Sequence, residues 1–338
     1  VAVLSERFDR VILVPRTVRG NLLSVPAGVE VDVSFAKHFT LGRRLALSAL
    51  ALFSKEFYLD IRNHLPASLA PGYLRRLFSF LAGAILTRDW GKNWLRQQQE
   101  ETPTDVIFYT YWFNEITMGL GLIKSDHPAL RVVTRAHGYD IYEELYGTWP
   151  CRFTALSLLD GLYSVSEAGT TYLREKYPEF KDRYETLLLG VPDPQSVAKS
   201  SSDGVLRIVS CSSINSIKRI NLLFRSIQVA ARLRETQAFE WRHFGGGDRL
   251  KEFIEKAHKE SRPNAAIKFH GHVSRHELIQ NYLTQPVDIF INVSSTEGTP
   301  VSIMEAISCG IPVISTAVGG NVEIVQEKNG FLLSENPT

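Results

Sequence analysis

Ser294-Ser295-Thr296-Glu297-Gly298-Thr299-Pro300-Val301-Ser302-Ile303-Met304-Glu305-Ala306 follows an apolar run, Val287-Asp288-Ile289-Phe290-Ile291-Asn292-Val293. The run reads as a buried parallel strand. Ile303, Ala306 and Ile307 then predict a helix that stops near Gly310. Thr299 is placed to cap that helix and Pro300 to take its first position, where no N–H is required. Glu297 falls on the strand-to-helix loop and Glu305 inside the helix. A helix start at the carboxyl end of a parallel sheet offers free N–H groups and partial positive charge, which suits a phosphate. Glu297 beside that anion would accept hydrogen bonds from sugar hydroxyls, and Glu305 would reach ribose hydroxyls. Taken alone, the spacing favours a capped helix with two solvated glutamates.

The residues that follow change the balance. Gly310-Ile311-Pro312-Val313-Ile314-Ser315-Thr316 is another buried strand, Gly319-Gly320-Asn321 opens another helix, and Asn329-Gly330-Phe331-Leu332-Leu333 begins one more strand. As an ordered set this resembles the nucleotide-binding half of family 4 retaining glycosyltransferases. Their pattern is Glu-x7-Glu, then Gly-x-Pro-Val, Gly-Gly and Asn-Gly-Phe-Leu. The resemblance covers about 205–333 most fully and 105–193 more loosely. It implies donor contacts along Gly298, Thr299, Pro300 and Val301 and at Glu305.

Composition narrows the class. At 338 residues the length suggests two domains, and 44% hydrophobic with 22% charged residues is ordinary globular material. A net charge of +2 does not point to nucleic acid. Cys151, Cys211 and Cys309 form no Cys-x-x-Cys pair, which fits a reducing compartment and no zinc site. No run reaches the ~18–20 apolar residues of a spanning helix, and no signal peptide is recognisable. The chain begins without Met in what reads as a helix, Val1 to Phe8. A strand is expected ahead of it, and the resemblance implies further helices after Leu333.

In the first half, Val11 to Val14 and Val29 to Phe35 read as strands. Residues 36–100 then read as a helical insert: Leu41 to Ile61, Leu74 to Leu86 and Trp90 to Gln99, punctuated by Pro66 and Pro71-Gly72. The insert holds ten Lys or Arg against four acids, a net of +6, leaving −4 for the remainder. Basic charge beside Leu, Phe and Trp suits a membrane surface, and equally a solvated helix face covering the sheet. Strands at Asp105 to Thr110 and Leu130 to Arg135 follow, so His137-Gly138 lies on a loop at a carboxyl strand end, the edge that faces a ligand crevice. Arg135-Ala136-His137-Gly138-Tyr139-Asp140 resembles the strand end of family 4 enzymes that build bacterial surface polysaccharides. There the His lines the reaction centre, while Asp140 reads as a loop-holding residue. Ser196 to Gly204 reads as a linker.

In the second half, Val205 to Cys211 is a strand, Ser212 to Lys218 its loop, and Asn221 to Arg234 its helix. Lys218 and Arg219 stand where cations meet a diphosphate. The family pairs an Arg in this loop with a Lys at the helix start. Lys218 matches the Lys, and Ser212 stands where the Arg is expected. Gly245-Gly246-Gly247 permits a tight turn and close approach of a neighbouring loop. Ser274 should cap a helix containing Glu277. Backbone near Val273 is implied to hold the base. His270 and His272 alternate across a strand with no carboxylate to complete a metal set.

The fold expected is α/β of the GT-B type, two Rossmann-like domains facing across a cleft, at 1–195 and 204–338, with the helical insert in the first. The implied function is retaining transfer of a sugar from a UDP- or GDP-linked donor to a glycan or lipid-linked hydroxyl, without metal or other cofactor. His137, Lys218 and Glu297 are the catalytic candidates; Arg219, Val273, Gly298, Thr299, Pro300, Val301 and Glu305 are the donor-binding ones. A cytoplasmic enzyme of surface-polysaccharide assembly, peripheral at the inner face of the membrane, is the expectation. A nucleotide-sugar epimerase and an inactive binding subunit are the alternatives.

Overall fold

A computed structural model describes residues 2–18, 25–64, 71–98 and 106–337. The chain forms two units, Val1–Ser164 with Gly169–Thr186, and Leu187–Thr338 with Val165–Ala168.

In the first unit, β1 (Val11–Leu13) and β2 (Val29–Val31) form a two-stranded parallel sheet. A second parallel sheet holds β3 (Ile107–Thr110), β4 (Arg131–Ala136), β5 (Gly161–Ser164) and β6 (Tyr184–Thr186) in that order. β2 is shorter than expected. The Asp32 carboxylate accepts from Ser34 N at 2.7 Å and starts a helix, Ser34–His38, where the strand was predicted to continue.

The helical insert is also divided differently. Residues 41–61 break into Leu41–Ser48, a 3-10 segment Ala49–Phe53, and Lys55–Asn63, because extended Ser54 caps the last by accepting from Phe57 N. The two predicted helices after Pro71 are one 28-residue helix, Pro71–Gln98. Gly83 and Gly91 each lie where a Cβ would run into another element, Glu115 and Ile123 respectively. They are contact residues of a buried helix, which supplies Leu77, Leu81 and Ala84 to the core. Trp90 and Trp94 tie it to the end of β2, donating to Ser34 Oγ and Asp32 Oδ2 at 2.9 and 2.8 Å. Pro66, Gln99, Glu100 and Asp105 lie outside the described residues.

The second unit is one six-stranded, all-parallel sheet. Its strands are β7 (Val205–Cys211), β8 (Ala238–Phe244), β9 (Ala265–Gly271), β10 (Ile289–Asn292), β11 (Val313–Thr316) and β12 (Gly330–Leu333). They lie in the order β12-β11-β10-β7-β8-β9, the doubly wound arrangement. Helices Ile220–Leu233 and Leu250–Glu260 bury Phe224 and Phe253 in one core cluster; Arg275–Thr284 and Val301–Ser308 bury Tyr282 and Ile303 in another. Ser274 and Glu277 form the expected capping box.

The loops at the carboxyl ends of these strands are packed backbone to backbone. A Cβ on Gly245, at φ +127°, would fall on the Ser212 carbonyl. One on Gly319, at φ +48°, would fall on the carbonyl of Glu297. Gly246 has open space by comparison, its nearest neighbour being His272 N at 3.9 Å. Gly245→Ala is expected to cost about 2–4 kcal/mol, from strained φ plus overpacking, and Gly246→Ala within about 0.5 kcal/mol. Urea unfolding of the two variants checks this; equal effects would refute the close-approach explanation.

Candidate active site

The strand order reverses between β7 and β10, so their following loops turn to opposite faces and open a crevice between them. Side chains from both loops meet there. Lys218 Nζ donates to Glu297 Oε1 at 2.6 Å, and the carboxylate is only 8% exposed. The same oxygen accepts from Ser294 Oγ at 2.6 Å and Asn292 Nδ2 at 3.0 Å. Ser295 N donates to Ile217 O at 2.8 Å and closes the loops further.

Arg219 stands differently from its expected place on a donor phosphate. It takes φ +47° at the start of the Ile220–Leu233 helix. Its guanidinium donates to the carbonyls of Val293, Ser294 and Glu335 at 2.5, 2.8 and 2.8 Å, and to Asn336 Oδ1. These acceptors take up the fork, so Arg219 holds the loop after β10. Ser212 is bound through its backbone, donating to Phe244 O at 2.9 Å.

The helix after β10 starts one residue later than predicted. Pro300 is its N-cap and Val301 its first residue, with no side-chain cap. Thr299 Oγ1 donates instead to Val165 O at 2.9 Å, a residue that packs with this unit. Val301 and Ser302 therefore present first-turn N–H groups with no intrahelical acceptor. Gly298 O accepts from Gly320 N at 2.8 Å, which fixes the turn leading to them. Glu305 lies buried within the helix and accepts from Arg275 Nε at 2.7 Å. Val273 sits two residues before Arg275, half-buried against the same core cluster.

Arg275, Asn292 and Ser294 were missed by the sequence reading. Arg275 directly follows the Ser274 cap on the loop after β9, the position where a cation faces the crevice edge. Asn292 and Ser294 are polar residues closing an apolar strand, a usable signal. His270 lies with its ring stacked on Phe244 at 4.6 Å. Among the described residues no three His, Cys, Asp or Glu are grouped to hold a metal ion.

In the first unit, His137 ends β4 on the carboxyl edge as predicted. Its ring packs against both Tyr111 and Trp112, with centroids 4.7 and 4.3 Å away. Both ring nitrogens are buried without a hydrogen-bond partner among the described residues. Burial, reinforced by Arg135, pulls its pKa down to about 4. Asp140 holds the loop: it accepts from His137 N and, at 2.7 Å, from Phe113 N. Burial pushes its carboxyl up to about 6. Arg152, also missed, is buried over the Phe113 ring at 4.1 Å and donates to Asp140 O at 2.7 Å.

Residues 197–338 match the family described as Glycosyl transferases group 1. The chain resembles bacterial surface-polysaccharide glycosyltransferases of the GT-B fold. WcaL of Escherichia coli (strain K12), named for colanic acid biosynthesis, is 32% identical over 142 residues, 39% of this chain and 33% of that one. The chain thus spans about a third of that relative's length. The solved lipopolysaccharide outer core galactosyltransferase WaaB superposes with TM-score 0.57 at 16% identity, over 76% of this chain and 68% of that one. The pneumococcal O-GlcNAc transferase GtfA, solved with UDP and GlcNAc, gives 0.53 at 18% identity, over 74% and 48%.

The His137 environment has a definite pH signature. Its folded pKa is depressed below the ordinary ~6.5, so the stability it contributes is present above that value and lost as pH falls through about 4. Asp140 runs the other way: its raised pKa makes its contribution greatest in acid and lost as pH rises through about 6. An NMR titration of the His137 ring carbons should show a midpoint near 4. A midpoint near ~6.5 would place the imidazole in open water.

Proposed function

We propose that this chain transfers a sugar from a nucleotide-sugar to a hydroxyl of a glycan or lipid-linked acceptor, with retention at the anomeric carbon and without a metal. The observation that carries the reading is the Lys218–Glu297 pair at the crevice where the strand order reverses, with a second pair, Arg275–Glu305, holding the carboxylate on the helix after β10. That crevice is the usual ligand position of such sheets.

Each group has a chemical task in this reading. A diphosphate sits against the first-turn N–H groups of Val301 and Ser302, with the turn at Gly298, Thr299 and Pro300 shaped around it. Lys218 exchanges Glu297 for the phosphate, leaving Glu297 still held by Asn292 and Ser294. Lys218 then stabilises the charge that grows on the leaving group, while Glu297 accepts from sugar hydroxyls. Glu305, oriented by Arg275, accepts from the ribose. Backbone near Val273 takes the base. A donor phosphate oxygen takes the acceptor's proton, which requires no protein nucleophile.

UDP is the first nucleotide to test, since GtfA was solved with it; GDP is the second. The binding-subunit reading draws on Ser212 in place of a basic residue and on Arg219 being occupied by carbonyls. A chain that binds nucleotide but releases none from a nucleotide-sugar with acceptor present would favour it.

Thermal and urea unfolding with UDP, GDP and their sugar conjugates provide the test. One nucleotide at ~100 times its dissociation constant should add about 2.7 kcal/mol to the parent. Glu305→Ala and Lys218→Ala should remove most of that gain. A parent stabilised by none of them would sink the reading.

A further inference from the structure

Leu47 of the Leu41–Ser48 helix packs against the first unit's core. Leu41 and Leu45, four residues apart, are left 71% and 67% exposed. Arg44, three residues before Leu47, takes part of the inner side, donating to Ser79 Oγ at 2.7 Å and lying over the buried Phe39 ring at 5.3 Å. A surface helix normally buries its apolar residues. Apolar exposure continues along the chain. Leu50, Leu52 and Phe53 of the next turn are exposed, Phe53 to 85%, and Tyr58 of the following helix is exposed as well. Among the described residues, a Cβ on Gly42 would meet nothing within 4 Å. Large contiguous apolar exposure of this kind marks a surface that something else covers.

Charge identifies what covers it. Lys37, Arg43, Lys55 and Arg62 are exposed along the same stretch. The stretch 34–64 has two carboxylates, and both are buried. Asp60 accepts from Tyr73 OH and Cys151 N at 2.6 Å each. Every exposed charge from 34 to 64 is therefore positive. We propose that this outward face, from Leu41 to Tyr58, docks on an anionic lipid bilayer. The leucines and Phe53 enter the acyl boundary, and the flanking cations meet the headgroups, their stems lying along the apolar surface. The contact is peripheral: no described helix is long and apolar enough to cross a membrane. The inference stands independently of the nucleotide site in the second unit.

Co-sedimentation of the full chain with sucrose-loaded vesicles tests it. Binding to phosphatidylcholine vesicles with about a third phosphatidylglycerol should exceed binding to phosphatidylcholine alone by roughly tenfold, and should weaken as salt rises. Leu45→Asp combined with Phe53→Asp should cut the bound fraction about tenfold. Both positions are exposed, so the variant should keep the parent's melting temperature and its nucleotide response. A parent that stays in the supernatant, or a variant that binds as well as the parent, overturns the proposal. So does a parent that elutes as a dimer and ignores vesicles while the variant elutes as a monomer, which would make a second copy the occupant.

Discussion

The Lys218–Glu297 pair bridges the one place where the second unit's topology pulls its loops apart. Strand order reverses between β7 and β10, so the helices that follow them run to opposite faces. Something must hold the loop bases together. Here it is a part-buried ion pair, a backbone bond from Ser295 to Ile217, and the Arg219 fork on the carbonyls of Val293 and Ser294. A part-buried pair adds little by itself, because desolvation offsets attraction. Its value here is positional. Glu297 keeps two neutral donors besides the lysine, so the lysine can leave without stranding the carboxylate. Arg219 has no such freedom. Its left-handed backbone costs roughly 1 kcal/mol, and four acceptors hold it in place.

The first unit uses the opposite electrostatic device. The His137 nitrogens have no hydrogen-bond partner among the described residues, and the ring packs against two aromatic rings, so burial keeps it uncharged at neutral pH. The loop that carries it is not loose. Asp140 binds the backbone of both His137 and Phe113, and the buried Arg152 seals the loop from below.

Much of this was legible in the sequence. The apolar runs located the central strands β10 and β11, because a strand buried on both faces has little other composition. The glycines at 245–247 announced a close backbone approach, which Gly245 makes. Two kinds of feature were not legible. Helix continuity from Leu86 to Trp90 depends on what packs along the helix, which a short polar stretch in the sequence does not show. The partners of long side chains are equally non-local. Arg219 and Lys218 are adjacent, yet one reaches backbone carbonyls and the other a carboxylate. Thr299 was a sound cap by composition, but Val165 O competes for its hydroxyl.

The insert shows the same limit in its strongest form. Apolar periodicity defines a stripe without saying which of its residues reach the core. In the Leu41–Ser48 helix the inner side is taken by Leu47 and by Arg44, whose guanidinium lies over Phe39 and against Ser79. Leu41 and Leu45 stay exposed. The burial of Glu56 and Asp60 has a like effect on charge, since Asp60 is fixed by Tyr73, His64 and Cys151 and leaves the cations alone at the surface. An outward apolar stripe and a one-signed rim are thus consequences of how the core is satisfied.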